Sequence, residues 1–260
     1  MYKINWFKSV FIFLAYVITA MLVLAIGSLF LVPEFKDVLN NLKGEEMRFS
    51  LQLSLITGFI STLLVISFAL PIGYALSRFQ FTGKGFVKTV IDLPIAFPEL
   101  VLGLCLLILF GKTFVGSIFR SMGLDFVFTR QGIVMAQFFT ALPYAARIMK
   151  STFDYIDPRL EFVSRSLGYS ALETFLNVSI RLAGNGILAA TVISFARCIG
   201  TFGTVLILAG GTYMETEVLP ITLYLNISYG NMGMALTSGI VLVIVSFIAI
   251  YIFEKTEARL

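Results

Sequence analysis

The chain has 260 residues, 58% hydrophobic and only 13% charged, and its mean hydropathy of +0.94 excludes a water-soluble fold, which typically carries about twice this share of charge. The net charge of +4 comes from basic residues spread along the chain rather than gathered in one stripe, which argues against a nucleic-acid partner and is typical of membrane proteins. Because histidine is absent, His-based metal sites and Ser-His-Asp or Cys-His catalysis are excluded, and we predict no catalytic residue, metal site or cofactor.

Apolar stretches of about 20 residues, the length a helix needs to cross the hydrocarbon core of a bilayer, recur along the chain. Six stretches qualify or nearly qualify: 9–32, 50–76, 88–111, 131–150, 183–210 and 232–253. They are continuous apolar runs, without the alternation that a transmembrane β-barrel requires. The sequence therefore predicts an all-α integral membrane protein, with a single transmembrane domain over residues 1–260 built as a bundle of six helices in the lipid bilayer.

Prolines punctuate several of these predicted spans. They are Pro71 in the second span, Pro94 and Pro98 in the third, and Pro143 in the fourth. A proline removes one backbone hydrogen bond, so each is expected to mark a kink inside a packed bundle. A shorter apolar piece, 218–229, lies between the fifth and sixth spans, and Pro220 near its start indicates a short helix at the outer interface.

The distribution of basic residues predicts the orientation of the chain. With both termini in the cytoplasm, about twice as many Lys and Arg residues fall in the inner loops as in the outer ones. We therefore predict a multi-pass protein of the cell (inner or plasma) membrane with both termini cytoplasmic.

The loop of residues 151–182, between the fourth and fifth spans, is too long for a simple connector and has an amphipathic helical pattern. Pro158 suits the first position of a helix, with Asp157 as its cap. Gly168 ends that helix, and a sharp turn there is expected to need a positive φ.

A second short helix is predicted over 171–178, with Ser170 as its cap. Two short helices joined at a glycine form a compact knob that faces the cytoplasm. A merely solvated helical hairpin would give the same pattern, so the pattern alone leaves the function of this knob open.

The sequence of the knob resembles the EAA loop of ABC importer permeases. That pattern has Glu-Ala-Ala and a Gly seven residues after the Glu, and Glu161 and Gly168 match it in type and spacing. Phe162 and Val163 stand in place of the two alanines. The resemblance implies that the knob couples to an ATPase through Glu161, Arg165, Ser166, Leu167, Gly168 and Tyr169.

Further segments are similar to the molybdate, tungstate and sulfate group of these permeases. Asp92-Leu-Pro94 resembles part of its third span, and Phe195-Ala-Arg197 followed by Phe202-Gly203 resembles its Phe-Ala-Arg-Ala-Leu-Gly-Glu-Phe-Gly signature. The resemblance implies the six-helix bundle of type I ABC importer permeases, with a cytoplasmic coupling helix between spans 4 and 5. It implies ATP-driven import of an oxyanion, with molybdate or tungstate ahead of sulfate.

The same resemblance implies the partners. They are two copies of a cytoplasmic ATP-binding cassette subunit, a second permease subunit that forms a homodimer, and an extracellular or periplasmic substrate-binding protein. ATP hydrolysis is then expected in the partner ATPase, and the chain itself is not an enzyme. The alternatives are a permease for another substrate, a secondary transporter, or an integral membrane enzyme.

One basic residue, Arg197, lies inside a predicted span, where an unpaired charge costs about 2.5–3.5 kcal/mol on insertion scales. It therefore needs a partner or water. The family signature has a Glu four residues later, but this chain has Thr201 there, whereas Glu99 stands about midway along the predicted third span. We expect an Arg197–Glu99 pair across helices; the alternatives are an Arg197 that faces the pore without this pair, or an Arg197 that contacts backbone carbonyls. The predicted translocation-pathway residues are Arg197, Glu99 and Thr201.

Overall fold

The structure is a computed structural model that describes residues 6–257, and its regular structure over that range is entirely helical. The first half of the chain contains α1 (Trp6–Leu31), α2 (Phe35–Lys43), α3 (Glu45–Arg78), α4 (Lys84–Asp92), a 3₁₀ turn (Leu93–Ile95), α5 (Glu99–Lys112) and α6 (Phe114–Ser121). The second half contains α7 (Arg130–Tyr155), α8 (Pro158–Ser166), α9 (Ala171–Thr174), a π-helical turn (Phe175–Ser179), α10 (Ile180–Leu182), α11 (Gly184–Gly200), α12 (Gly203–Ala209), α13 (Leu219–Ser228) and α14 (Met232–Glu257). The predicted cytoplasmic location concerns the two chain termini, which lie outside the described residues.

Four helices in this range are long and apolar enough to cross a membrane, namely α1, α3, α7 and α14. Two pairs of helices pass the same test together but are strongly bent, and they raise the number of spans to six if each pair counts as one. The four straight spans contain the predicted stretches 9–32 (to within one residue), 50–76, 131–150 and 232–253.

The third predicted span, 88–111, is not one straight helix. Its two halves, α4 with the 3₁₀ turn and α5, meet at an angle of 115°. Pro98 is the N-cap residue of α5 in an extended conformation, and Pro94 lies in the 3₁₀ turn, so helical hydrogen bonding cannot continue through this segment. Glu99 consequently begins α5, at the bend between the two halves of the third predicted span, and does not lie inside one straight helix.

The fifth predicted span, 183–210, is also interrupted. Its first part, α11, ends at Gly200, and α12 begins only at Gly203 after a break at Thr201 and Phe202. On its other side α11 meets the helical segment Ala171–Leu182 at an angle of 73°. This bent arrangement brings two interrupted spans, the third and the fifth, together at the α5–α12 contact.

The centre of the bundle is the long contact between α3 and α7. Pro71 and Pro143 lie inside these two helices without interrupting them, unlike the prolines of the third span. Gly73 permits the close approach, because a Cβ there would lie 2.5 Å from the Cβ of Met149. With 34 residues, α3 is about 51 Å long and so extends beyond a hydrocarbon core of about 30 Å.

The outer elements of the bundle differ in burial. No residue of α1 is buried, and most of its apolar side chains are exposed. The short helix predicted near Pro220 is present as α13, with Pro220 in its first turn, and it packs on α3 and α14. The predicted short helix is therefore confirmed; its first turn is buried against the bundle, whereas Tyr224 and Ile227 are exposed.

Candidate functional site

The 158–182 hairpin, which comprises α8 to α10, has the local structure that its capping residues predict. The Asp157 carboxylate accepts the backbone N–H of Arg159 at 2.9 Å, and Pro158 occupies the first turn of α8. Ser170 and Glu173 form a reciprocal capping box at the start of α9. The hydrogen bonds from Ser170 lower the pKa of the Glu173 carboxyl.

Gly168 separates the two arms of the hairpin with φ +96°, a conformation that a residue with a Cβ rarely adopts. The positive φ predicted for this turn is confirmed. The second arm differs from the prediction of an ordinary helix over 171–178. A π-helical turn (Phe175–Ser179) follows α9, and helical structure continues to Leu182.

The tip of the hairpin exposes apolar side chains. Leu167 is 75% exposed, Phe162 67% and Tyr169 47%. The other predicted coupling residues at the tip, Arg165 and Ser166, are also exposed. An exposed apolar tip on a capped hairpin is the kind of surface that another protein covers.

Glu161 does not lie on this exposed tip. Its side chain is 12% exposed and turns toward α3, where its carboxylate meets Arg78 with an Nε–Oε1 distance of 3.0 Å. The resemblance placed Glu161 with the coupling residues and did not indicate its contact with Arg78. The available signal was the position of Arg78 at the end of the second span, on the same predicted side of the membrane as the hairpin.

Within the bundle, the predicted pair of Arg197 and Glu99 is present. The distance from Arg197 Nη2 to Glu99 Oε1 is 3.3 Å, and the two side chains are 39% and 30% exposed. The guanidinium also lies over the ring of Tyr144, 4.7 Å from its centroid. Tyr144 was not predicted, although an aromatic residue beside Pro143 in an apolar span was a visible candidate for a cation–π contact.

Glu99 has a second role that the sequence did not reveal. Its Oε2 accepts the backbone N–H groups of Phe202 at 3.2 Å and Gly203 at 3.1 Å, where α12 begins. The hydroxyl of Thr204 donates to the backbone carbonyl of Glu99 at 3.0 Å. The carboxylate from the third span therefore satisfies the N–H groups that the interruption of the fifth span leaves free.

Thr201 does not join this charged cluster through its side chain. It is buried, with 1% exposure, and its hydroxyl donates to the carbonyl of Arg197 at 2.7 Å. Arg197 Nε is buried and has no hydrogen-bond partner among residues 6–257. The guanidinium is thus held by one carboxylate oxygen and one aromatic ring, and the Arg197 side chain is 39% exposed.

The end of the bundle opposite the hairpin holds a buried acidic group. Glu217, in the loop before α13, is 0% exposed, and its Oε2 accepts the backbone N–H of Met214 at 3.0 Å. Nearby, Asn226 donates to Glu46 Oε1 at 2.6 Å. Burial, together with the charge of Glu46, raises the pKa of the Glu217 carboxyl.

The chain is similar to known transport proteins over most of its length. Residues 66–260 match the family model described as "Binding-protein-dependent transport system inner membrane component". The molybdate/tungstate transport system permease protein WtpB of Pyrococcus furiosus is 34% identical over 207 residues, covering 79% of this chain and 76% of that one. A probable sulfate transport system permease protein, cysT of Anthoceros angustus, is 28% identical over 202 residues, covering 77% of this chain and 70% of that one.

A similar fold is seen in a solved structure of a bacterial alginate ABC transporter in complex with an alginate pentasaccharide-bound periplasmic protein. The TM-score is 0.74 at 15% sequence identity, and the match covers 97% of this chain and 92% of the other. At this identity the likeness concerns the fold alone.

Proposed function

The chain belongs to the family of binding-protein-dependent transport system inner membrane components, and from this premise we propose that it forms the translocation pathway of an ATP-driven importer for a tetrahedral oxyanion. It is a multi-pass transmembrane permease subunit with the type I ABC importer fold. We propose further that it is embedded in the cell membrane with both termini in the cytoplasm, and that residues 1–260 form one transmembrane domain.

The observation that carries the ATP-driven mechanism is the exposed apolar tip of the 158–182 hairpin. Leu167 and Tyr169 flank Gly168, whose φ of +96° fixes the turn between the two arms. Burying such a tip in a groove of a cytoplasmic ATP-binding cassette subunit would remove its apolar surface from water, at about 25 cal/mol per Å². In this proposal ATP is hydrolysed in the partner subunit, and the hairpin, with Arg165, Ser166 and Glu161, carries the movement to the bundle.

The proposed substrate class follows from charge in the pathway and from the relatives. Arg197 is a cation among apolar spans, and its side chain is 39% exposed beside its single contact with Glu99. A partly exposed guanidinium suits a dianionic oxyanion, whose oxygens accept its N–H groups. The relative from Pyrococcus is named for molybdate and tungstate and that from Anthoceros for sulfate, so we propose molybdate or tungstate, ahead of sulfate.

The proposed assembly contains two copies of this chain, two ATP-binding cassette subunits and one external substrate-binding protein. One copy of the chain supplies a single Arg197 and a single hairpin, whereas a homodimer would place two of each about the pore and so match two ATPase subunits. Binding of ATP would draw the two hairpins together and bias the bundle toward its outward-open state.

The stoichiometry of the complex tests this proposal. We expect the affinity-tagged chain, purified in mild detergent, to give two permeases and two ATPases by native mass spectrometry. Leu167→Glu should release the ATPases while leaving the permease dimer intact, because it places a charge on the apolar tip. A tagged wild-type chain that purifies without any ATPase, or a Leu167→Glu variant that retains both, would contradict the proposed docking surface.

A further inference from the structure

The Glu161 carboxylate lies at a junction between the hairpin and the rest of the bundle. Its Oε1 accepts from Arg78 Nε at 3.0 Å and from the Ser179 hydroxyl at 3.0 Å. Its Oε2 accepts from the Tyr74 hydroxyl at 3.1 Å. Both oxygens are therefore engaged within the chain, and this carboxylate is turned away from any protein that docks on the tip.

Arg78 connects the remaining element at this junction. Its Nη2 donates to the backbone carbonyl of Ile156 at 2.8 Å, at the point where α7 ends and the chain enters the hairpin. The Arg78 side chain is only 10% exposed. One side chain from the last turn of α3 thus holds both the start of the hairpin and, through Glu161, its first arm.

Aromatic rings also pack at this junction. The ring of Tyr74 lies edge-on to Phe153 of α7, with centroids 5.3 Å apart, and to Phe175 of the π-helical turn, with centroids 4.7 Å apart. The residues that meet here come from α3, α7 and both arms of the hairpin. Their charged centre is surrounded by apolar rings, which strengthens its electrostatic interactions.

We propose that Arg78 is a positioning residue that transmits movement of the 158–182 hairpin to α3, through its buried contact with Glu161. Separating the pair would leave two charges in a site that is about nine-tenths closed to solvent, so the hairpin and α3 move as one body. Because α3 is a continuous helix of 34 residues, a displacement at Arg78 reaches the opposite end of the bundle.

This inference rests on the proposed function, since it assumes that an ATPase moves the hairpin. It assigns the Glu of the EAA-like sequence to an internal joint rather than to the surface that binds the ATPase. Docking would then depend on Leu167 and Tyr169, and force transmission on Arg78 and Glu161. The two steps can be separated by experiment.

The test uses the complete complex of permease, ATPase and binding protein in proteoliposomes, with tungstate as the transported probe. Arg78→Gln should retain the bound ATPase but raise the number of ATP molecules hydrolysed per tungstate imported about fivefold or more. The matched control is Arg147→Gln, which breaks a more exposed ion pair, of 3.2 Å, between Arg147 (61% exposed) and Asp92 (24% exposed). Because partly exposed pairs contribute little, its ratio should stay within about twofold of wild type.

A second variant covers the case in which Arg78→Gln does not assemble. Tyr74→Phe with Ser179→Ala removes two neutral hydrogen bonds to the Glu161 carboxylate while keeping the Tyr74 ring and the Arg78 pair. We expect an intermediate rise in ATP used per tungstate, with the ATPase still bound. An unchanged ratio in this double variant, or in an assembled Arg78→Gln complex, would overturn the inference. A wild-type complex without ATPase would instead refute the proposed function itself.

Discussion

Removal of the Glu99 carboxylate is the perturbation whose effect on stability the structure defines best. In Glu99→Ala, the backbone N–H groups of Phe202 and Gly203 lose their acceptor and Arg197 loses its only carboxylate partner among the described residues. Hydrogen bonds to a charged group contribute about 1.5–3 kcal/mol each. Since the Glu99 side chain is 30% exposed, water replaces part of this loss, and we expect a cost of about 2–4 kcal/mol.

Glu99→Gln should be milder, because its amide oxygen can still accept from one or both backbone N–H groups. Neutral hydrogen bonds contribute about 0.5–1.5 kcal/mol, so the expected cost is about 1–2 kcal/mol. In a double-mutant cycle, Arg197→Gln should cost less in the Glu99→Gln background than in wild type. The expected coupling energy is about 1 kcal/mol, at the low end of the range for residues in contact, because both side chains are partly exposed.

Thermal unfolding of the purified permease in detergent measures these differences. A change of 1 kcal/mol shifts Tm by about 2–4 °C for a chain of this size. Asp92→Asn, which disturbs the partly exposed pair with Arg147, is the matched control and should lower the unfolding free energy by no more than about 1 kcal/mol. Equal Tm values for Glu99→Ala and Asp92→Asn, or a coupling energy of zero, would refute this account of the site.

Three further predictions concern other parts of the chain. Gly168→Ala should cost about 1–2 kcal/mol by backbone strain alone, since φ is +96° and nothing lies within 4 Å of the added Cβ. Hydrogen exchange at the Tyr169 amide should then be about tenfold faster, whereas the control Gly85→Ala in α4 should show no such change. Gly73→Ala should cost about 1–3 kcal/mol in thermal unfolding because its Cβ would lie 2.8 Å from the Lys150 backbone nitrogen, whereas Gly27→Ala, with nothing within 4 Å, should be neutral. The pKa of the Glu217 carboxyl is raised in the folded state, so the stability that this group contributes is complete below its unfolded pKa of about 4.3 and is lost as pH rises through the folded pKa. Tm should therefore fall less with rising pH in Glu217→Gln than in wild type. Parallel curves of Tm against pH for the two proteins would contradict this.

The hairpin shows how much local structure the sequence could predict. Asp157, Pro158, Gly168 and Ser170 act through their own backbone neighbours, so their roles follow from the order of residues alone. The π-helical turn did not follow, because the sequence of Phe175–Ser179 also suits an ordinary helix. The residues of this turn make tertiary contacts that the local sequence does not encode, among them the hydrogen bond from the Ser179 hydroxyl to the Glu161 carboxylate.

The membrane-embedded site was predicted only in part. The cost of a charge in a span led to the Arg197–Glu99 pair, which the structure contains. The bend at Glu99 was not predicted, because apolar length does not reveal that the segment with Pro94 and Pro98 breaks the third span by 115°. Its contacts with Phe202 and Gly203 depend on where two interrupted helices meet, which no local pattern encodes.

The inward orientation of Glu161 was missed for a related reason. Helical periodicity indicates which face of a short helix is apolar, but it does not indicate which neighbouring helix end approaches it. Arg78 is 83 residues away in sequence and meets Glu161 only because α3 extends beyond the apolar core to the level of the hairpin. The sequence therefore showed a basic residue at the end of the second span but not the acidic residue with which it pairs.

The central claim, that this chain is the pathway of an ATP-driven oxyanion importer, is tested most directly by tungstate accumulation in proteoliposomes. The complex of permease, ATPase and binding protein would be reconstituted, and internal tungsten would be measured by mass spectrometry with ATP, without ATP, and with an ion gradient in place of ATP. The account predicts accumulation only with ATP and the binding protein, and its loss in Leu167→Glu. Accumulation driven by the ion gradient alone, or none with ATP for tungstate, molybdate and sulfate alike, would contradict it.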